Sequence, residues 1–591
     1  IFINKQVDIY SLAKLQLYTL TFACMSWSAT SCVDILDVAP MSSFSDEAVW
    51  SDLALSETYL NAQYANLWAE SMKGTRFAHF TDEVFQKHTY GSENVTQGLL
   101  NCDTYAIGWD DTMWDPWGTY YGYIKSINLF LEHIDEVPGD EEWRNWQKGQ
   151  ALFLRAWNYH MLYSLYGRVP IVDHTYGLND TFEEVRADMD DVAAFIVKDC
   201  DDAAALLPVA YPDNSDFGRA TKGASLALKS RVLLYQASPL FGTPSTEKWQ
   251  AAADAAHAVF DLNEYHLQDI NTANVVADPK TVGDEYGNLF LDPENPEVIF
   301  EKLYDPKYGA GDNMSYLYQA PCGIGNGFQG WGNFNPTQEI ADFFQNADGS
   351  AFVPQSYCEA PAGTMPSIWQ GREPRFYAAF ILDGDTWGYG DGRREVEVFR
   401  SGEEGVTAGK DSDQGEYWWN ASNTGYSMRK FLDPNYNSAG TTMHSTPWFF
   451  IRLSEIYLNY AECQLQLGNV EGAEGAREYI NKVRRRVGLP EVQAGADVWA
   501  AYYYERQAEL VFEGQRWFDL RRWKKMEECY SKPVTGIAIY KYKDGTKRYW
   551  TGNEVSVRNF AGVAGAEAHY WLPVPRYELR RSPLIDAQPY E

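Results

Sequence analysis

Apolar residues recur at helical spacing in long segments of the first half of the chain. Residues 151–166, "ALFLRAWNYHMLYSLY", keep an apolar face and stop at Gly167. Residues 181–207 repeat the pattern, opening on the N-capping threonine of "TFEE" and ending before Pro208. The spacing therefore predicts two long amphipathic helices.

Two further regions predict helices packed in antiparallel pairs. Residues 218–241 and 247–262 are rich in alanine, which lets helix axes approach closely. Residues 449–487 predict a second pair, with small residues spaced as in a tetratricopeptide repeat although the bulky positions match less well. These small residues are Ala461, Gly468 and Ala473.

Between residues 271 and 445 the helical pattern is lost. Gly, Pro, Asn, Asp and aromatic residues dominate, with short apolar runs such as "EVIFEKLY" and "RFYAAFILDG". We expect irregular structure with a few short strands here. A segment of this length without regular structure is usually functional when it is ordered.

Composition narrows the function. The chain has 40 Tyr, 29 Phe and 21 Trp, so aromatic residues reach 15%. Aromatic rings fill cores, but they are also surfaces on which sugars and peptides stack. The net charge is −33 and no basic stripe is present, which argues against a nucleic-acid partner.

The first residues are typical of a targeting segment. Lys5 and Lys14 precede an uncharged run, residues 15–33, that is too polar for a permanent membrane span. Small residues precede Cys32 as in a bacterial lipobox, which predicts a signal peptide over residues 1–31 and lipidation of Cys32. Cys24 is a weaker candidate, and a buried N-terminal helix is the alternative.

The remaining cysteines give no metal motif. None forms a CxxC pair, so zinc-ligand spacing is absent. Cys322 and Cys358 lie in one loop-rich region and could pair, whereas Cys463 is expected in a helix core.

The stretch 506–523, "RQAELVFEGQRWFDLRRW", is the strongest candidate for acid–base chemistry. A final helix is predicted over residues 498–526, placing Glu505, Glu509 and Glu513 in a ladder that arginines from elsewhere must neutralise. The pairs Glu513–Arg516 and Asp519–Arg522 are expected to form along its surface. Because the stretch contains no nucleophile and no histidine, we interpret it as scaffold.

The same stretch closely resembles the C-terminal signature of the SusD/RagB family of surface glycan-binding lipoproteins. Other segments match this family in order, including "WGTYYGYIKSINLFLEHI", "LRAWNYHMLYSLYGRVPIV", "GRATKGASLALKSRVLLYQASPLF", "FIRLSEIYLNYAE" and "WLPVPRYELRRSPLIDAQPY". The resemblance implies a mostly α fold, in which tetratricopeptide-like helix pairs form a scaffold and a large irregular aromatic-rich insert has a few short strands.

The resemblance also implies an organisation and a role. After the signal peptide, residues 32–591 form one SusD-like domain, with helical parts at 32–270 and 446–591 and the ligand-site insert at 271–445. Family members are anchored at the outer membrane, cap a SusC-like TonB-dependent transporter as a lid, and hold oligosaccharide for import. They are not enzymes and require no cofactor.

Two neighbourhoods combine aromatic rings with hydrogen-bonding groups outside helix cores, as sugar binding requires. They are residues 89–114 and 304–331, from which the family commonly draws ligand contacts. The predicted ligand-binding residues are Tyr90, Asn101, Trp109, Asp111, Trp114, Tyr308, Tyr318, Phe328 and Trp331.

A structural calcium site is a weaker hypothesis. Asp383, Asp385 and Asp391 fall at positions one, three and nine of a calcium-binding loop. Arg394 stands where a bidentate glutamate is required, so an ordinary turn is the better interpretation.

Three other functions stay open. A RagB-like protein would bind peptides with similar aromatic residues in a groove with unpaired backbone groups. A glycoside hydrolase would need two carboxylates facing each other across a cleft, about 5–10 Å apart. A purely structural repeat protein is disfavoured by the aromatic-rich insert.

Overall fold

A computed structural model describes residues 46–67, 77–89, 91–109, 112–177, 179–305, 307, 330–388, 393–416, 418–434 and 445–590. The predicted signal peptide and Cys32 lie outside these residues. Helices of the first half are α1 (Asp46–Ser51), α2 (Leu53–Ala65), α3 (Glu93–Thr96), α4 (Pro116–His133), α5 (Glu141–Tyr166), α6 (Met189–Leu206), α7 (Lys222–Ala237) and α8 (Thr246–Phe260).

The described helices of the second half have at most 15 residues, compared with 26 in α5. They are α9 (Pro279–Asn288), α10 (Gln338–Phe343), α11 (Pro374–Ala379), α12 (Leu453–Leu467), α13 (Ala476–Arg486), α14 (Val498–Glu509), α15 (Gln515–Arg522), α16 (Met526–Tyr530) and α17 (Arg576–Arg581). None of the described helices combines the length and the apolar character that a bilayer span requires.

The long helices begin and end where local chemistry favours it. The Asp140 side chain accepts a hydrogen bond from the Trp143 amide at the start of α5, and Gly167 ends that helix with a φ of 71°. Thr221 and Ser245 cap α7 and α8 in the same way. The predictions for α7 and α8 and for the end of α5 are confirmed, but α5 begins at Glu141, ten residues before the predicted start at residue 151.

The predicted start of α6 is wrong. The helix begins at Met189, and the "TFEE" segment before it carries no helix. Arg186, close to the true N-terminus, donates hydrogen bonds to the carbonyl oxygens of Asp586 at 3.1 Å and Ala587 at 3.0 Å. The capping pattern favoured a helix in this segment. Instead, the segment is not helical and makes contacts with the distant C-terminal tail.

Successive helices pack side by side from α4 to α8, and α12 continues the stack against α8 and α13. One large core cluster runs through these helices, with side chains such as Phe153, Leu228, Ile456 and Ile480 buried completely. The mostly α, tetratricopeptide-like fold class is confirmed.

The strands are short. They are β1 (Val84–Gln86), β2 (Ile107–Trp109), β3 (Thr112–Trp114), β4 (Val298–Lys302), β5 (Phe334–Pro336), β6 (Tyr357–Ala360), β7 (Phe380–Ile381), β8 (Thr386–Trp387), β9 (Arg394–Glu395), β10 (Arg400–Ser401), β11 (Ser427–Met428), β12 (Trp448–Arg452), β13 (Val534–Lys541) and β14 (Lys547–Ser556). The described sheet with the most strands has the order β10–β13–β14–β6, and five two-stranded ladders accompany it.

Two boundaries differ from the sequence interpretation. The predicted helix starting at residue 449 begins at Leu453, because the preceding residues form β12 and pair with β4. In "RFYAAFILDG" the first residues form α11 and only Phe380 and Ile381 are a strand. Pairing with segments distant in sequence decides both.

The predicted single helix over residues 498–526 is also wrong. It breaks into α14, α15 and α16, with positive φ angles of 63° at Phe512 and 80° at Gly514. The Lys430 ammonium donates to the carbonyl oxygens of Glu509 at 3.1 Å and Val511 at 3.0 Å. These bonds satisfy carbonyls at the end of α14 and stabilise the break.

The described cysteines are free thiols, with Cys463 buried in α12 as expected. Cys358 is buried on β6, whereas Cys322 lies outside the described residues. The Cys322–Cys358 pairing that the sequence left open therefore stays a prediction.

Candidate functional site

The acidic ladder of the sequence analysis is fully buried and neutralised by arginines from other segments. Glu509 contacts Arg452 at 2.6 Å, Arg375 at 3.2 Å and Arg486. Although burial alone would raise it, these three guanidinium groups hold the pKa of Glu509 well below its usual range. The expectation that arginines from elsewhere neutralise the ladder is confirmed.

Glu513 does not pair with Arg516. It contacts Lys430 at 2.7 Å and Arg452 at 2.7 Å, while Arg516 binds Asp82 at 3.0 Å. The expected surface pair is wrong because the chain turns at the break before α15. Burial opposes ionisation of Glu513, but both cations together lower its pKa.

Asp519 does pair with Arg522, at 2.8 Å, but inside the core rather than along a surface. Arg506 reaches the same carboxylate at 2.8 Å, and Arg522 continues to Glu462 at 2.6 Å. Despite burial, these arginines lower the pKa of Asp519. Carboxylates held ionised among buried arginines have no access to a substrate, which supports the interpretation as scaffold.

Two neighbouring tryptophans form the most prominent exposed aromatic surface of the described chain. Trp418 is 60% exposed and Trp419 is 47% exposed. Their ring centroids are 6.1 Å apart and the ring planes meet at 86°. We call this pair the tryptophan platform; it lies on a single turn of 3₁₀-helix, Trp418–Asn420.

Hydrogen bonds between neighbouring side chains and the backbone hold the segment that follows the platform in place. The Lys87 ammonium donates to the Ala421 carbonyl at 2.7 Å, and the Asn423 amide donates to the Asn335 side chain at 2.9 Å. The His88 side chain hydrogen-bonds Asn420; burial and the Lys87 charge nevertheless lower the pKa of His88. Exposed rings on a fixed turn are pre-organised for stacking.

The β1–β5 ladder joins the two neighbourhoods that the sequence singled out. Gln86 lies opposite Phe334, and beyond the ladder the His88 amide donates to the Asn333 side chain at 2.7 Å. The chain entering residues 89–114 therefore runs beside the end of residues 304–331. The ladder itself lies next to the platform, since Asn335 of β5 accepts a hydrogen bond from the Asn423 amide.

Two predicted ligand residues have other roles. Trp114 is only 8% exposed, and its ring packs edge-on against Phe77 and Tyr120 in the main core. Asn101 is exposed, but its side-chain oxygen accepts from the Asp103 amide at 2.9 Å and fixes a turn. The prediction that Trp114 offers a stacking surface is therefore wrong, because the ring is buried in the main core.

The remaining predicted residues divide into two groups. Trp331 is partly buried against a second core cluster that includes Phe334, and Trp109 lies on β2 opposite Thr112. The others lie outside the described residues and stay predictions: Tyr90, Asp111, Tyr308, Tyr318 and Phe328.

Sequence reasoning missed the platform itself. The signal was "EYWWNASN", two adjacent tryptophans flanked by polar residues inside the irregular insert. Adjacent rings within a polar segment are exposed more readily than rings at helical spacing, which usually pack in a core. The platform lies within the predicted insert, residues 271–445, but its two tryptophans were not among the predicted residues.

Two of the three carboxylates of the calcium hypothesis are paired with lysines. Asp383 is paired with Lys547 at 2.6 Å, and Asp385 is paired with Lys280 at 3.0 Å. No group of three acidic, histidine or cysteine side chains suited to a metal occurs in the part of the chain that the structure describes. Asp391 lies outside it.

Family comparisons cover most of the chain. The model described as the SusD family matches residues 296–590, and one described as starch-binding associating with outer membrane matches residues 34–234. A SusD-like protein, P25, of Formosa agariphila is 24% identical over 491 residues, which cover 80% of this chain and 77% of that protein.

Solved structures of other proteins share this fold. A SusD-like protein from Bacteroides fragilis superposes with a TM-score of 0.75 at 28% identity, covering 93% of this chain and 99% of that one. A SusD-like carbohydrate-binding protein from the same species gives a TM-score of 0.69 at 22% identity, covering 91% and 99%.

Proposed function

Because this chain belongs to the SusD/RagB family, we propose that it is a cell-surface glycan-binding protein that holds oligosaccharide or polysaccharide for import. The observation that carries the proposal is the tryptophan platform. Two exposed rings at right angles can contact successive faces of a bent or twisted sugar chain. Asn420, the last residue of the same turn, offers amide atoms for hydroxyl groups at its edge.

The rest of the assembly follows from the family resemblance. We propose that Cys32 carries the lipid anchor after removal of residues 1–31, and that a SusC-like TonB-dependent transporter is the partner beneath. In this arrangement the protein acts as a lid over the transporter. Residues 271–445 supply the ligand site, and the helical parts on either side form the scaffold.

Capture without catalysis is part of the proposal. A retaining or inverting glycosidase needs two accessible carboxylates separated by about 5–10 Å. The strongest acidic candidates here, Glu509 and Glu513, are engaged by buried cations. The relative described as carbohydrate-binding gives further support.

The test is calorimetry of the protein beginning at Cys32 against plant, microbial and host polysaccharides and against mixed peptides. The same samples are assayed for new reducing ends. We expect heat from one glycan class and no new reducing ends. Heat from peptides alone would instead support a RagB-like peptide-binding role, and new reducing ends would support a hydrolase.

Variants then test the platform. Trp418→Ala and Trp419→Ala are each expected to weaken glycan binding by about 1–3 kcal/mol, because each removes a stacking surface. Tyr357→Ala is the matched control, since Tyr357 is an exposed ring on β6 outside the platform. Unchanged affinity in both tryptophan variants would move the site away from the platform.

A further inference from the structure

Glu301 carries a buried carboxyl group that forms no ion pair with the described residues. It lies on β4, where its neighbour across the ladder is Phe449 of β12. The residue is only 5% exposed, and its Oε2 atom has no hydrogen-bond partner within the described part of the chain. This contrasts with Glu509 and Glu513, whose carboxylates are each held by several cations.

Glu301 is part of the lining of two adjoining cavities. Their volumes are ≈ 280 Å³ and ≈ 450 Å³, and both are lined by Phe217, Gly218, Arg219 and Glu301. We call the two cavities together the Glu301 recess. Phe217 is an exposed ring at its edge, and Tyr211, Tyr265 and Tyr304 add further aromatic walls.

A glycine with a positive φ angle shapes one wall of this recess. Gly218 has a φ of +89°, and a Cβ atom built on it would lie 2.6 Å from Cδ1 of Leu303. The loop carrying Phe217 therefore approaches the end of β4 through a position that only glycine fills without displacement. The shared wall of the two cavities depends on this approach.

The recess is strongly acidic. Arg219 is already engaged by Asp216 at 2.7 Å and Glu57 at 2.7 Å, and the Lys302 ammonium donates to the Ala65 carbonyl at 2.9 Å. Further carboxyl groups line the recess: Asp213, Asp216, Glu264 and Glu294. Burial and the nearby Asp292 charge raise the pKa of Glu301 to about 9.

We propose that the Glu301 recess binds a small ligand carrying an ammonium group, which pairs with the Glu301 carboxylate. The aromatic walls complement such a ligand, since ring faces attract cations and cover an apolar body. A divalent metal is a poorer match, because no three acidic or histidine side chains converge there among the described residues. This site is separate from the tryptophan platform and does not rest on the proposed glycan capture.

Ligand binding is expected to release a proton from Glu301. Near pH 7 the free protein holds the Glu301 proton, and an ammonium ligand favours the carboxylate, so the proton leaves to the buffer. We therefore expect release of about one proton per bound ligand. Calorimetry in two buffers of different ionisation enthalpy measures this number directly.

The experiment uses pairs of probes that differ in charge. D-glucosamine is compared with D-glucose, and Nα-acetyl-lysine amide with Nα,Nε-diacetyl-lysine amide, at constant ionic strength. We expect the charged member of at least one pair to bind about tenfold more tightly. Preference in the sugar pair alone indicates an amino sugar, and preference in the lysine pair alone indicates an amine side chain.

Glu301→Gln removes the charge and keeps the shape. It should abolish both the charged-probe preference and the proton release, while Glu183→Gln, an exposed carboxyl outside the recess, should change neither. A circular dichroism spectrum and a urea midpoint equal to those of the wild type would show that Glu301→Gln is folded. Equal affinity within both probe pairs, or a preference that persists in Glu301→Gln, would overturn the proposal.

Discussion

A Cβ atom built on Gly332 would lie 2.3 Å from the carbonyl oxygen of Asn420. Asn420 is the last residue of the turn that bears Trp418 and Trp419. Gly332 also has a positive φ of 48°, a conformation that other residues adopt with strain. The position of the tryptophan platform thus depends on a missing side chain one residue after Trp331.

Gly332→Ala is expected to weaken glycan binding about tenfold, because the added methyl group displaces the turn and both of its rings. Calorimetry measures the affinity, and circular dichroism checks the fold. Gly363→Ala is the matched control: Gly363 has a φ of 72°, but a Cβ atom added there would meet nothing within 4 Å. Equal loss of affinity in the two variants would attribute the effect to strain rather than to the contact with Asn420.

Glu509→Gln is expected to destabilise the protein strongly. Arg375, Arg452 and Arg486 all converge on this carboxylate, and removing one partner of a buried ion-pair network costs about 3–5 kcal/mol. Urea unfolding followed by tryptophan fluorescence should show a lower midpoint.

The control for this variant is Glu471→Gln. Glu471 pairs with Arg477 at 2.6 Å on the surface, where solvent screens the interaction, so the urea midpoint should not move. Equal midpoints for wild type and Glu509→Gln would contradict the scaffold role of Glu509.

The helical scaffold was readable from the sequence because its signals are local. Apolar spacing together with stop signals such as Gly167 located α7, α8 and the end of α5 correctly. The errors arose where contacts with residues distant in the sequence determine the local structure. The tail contacts of Arg186 accompany the late start of α6, and Lys430 stabilises the break after α14.

The candidate site was predictable only as a region. Residues 271–445 were singled out by composition, and the platform lies inside them. Which rings are exposed depends on packing: Trp114 contributes to the core, whereas Trp418 is held outward by a turn fastened to β5. The Glu301 recess gave no sequence signal at all, since "EVIFEKLY" predicts only a strand.

Calcium should leave the stability of the protein unchanged. Asp383 accepts hydrogen bonds from Lys547 at 2.6 Å and from the Val398 amide at 3.0 Å, so both of its oxygens are occupied. Asp385 is similarly engaged by Lys280 at 3.0 Å and by the Leu382 amide at 2.9 Å. Melting temperatures in excess calcium and in excess EDTA, at equal ionic strength, are expected to agree.

A stabilisation by calcium that Asp385→Asn removes would restore the metal hypothesis. Asp284→Asn serves as the control, because Asp284 carries a carboxylate outside the turn that contains Asp383 and Asp385. A calcium effect present in both variants would instead indicate a cation site elsewhere in the chain.

Glu83 makes the stability of the protein depend on pH. Burial and the Asp82 charge raise the pKa of Glu83 to about 8, against the opposing charge of Arg516. Its Oε2 atom accepts from the Phe512 amide at 3.2 Å, while Oε1 has no partner within the described residues. In the unfolded chain the same group ionises near pH 4.3, at about its reference value.

The folded state therefore keeps a proton that the unfolded state has lost between about pH 4.3 and pH 8. Over that window this group lowers the free energy of unfolding as pH rises, by at most about 1.4 kcal/mol per pH unit. Glu83→Gln removes the titration but keeps the acceptor for Phe512. Urea unfolding at pH 5, 6, 7 and 8 should show the variant gaining on the wild type at each step, whereas parallel curves would mean that Glu83 does not hold its proton in the fold.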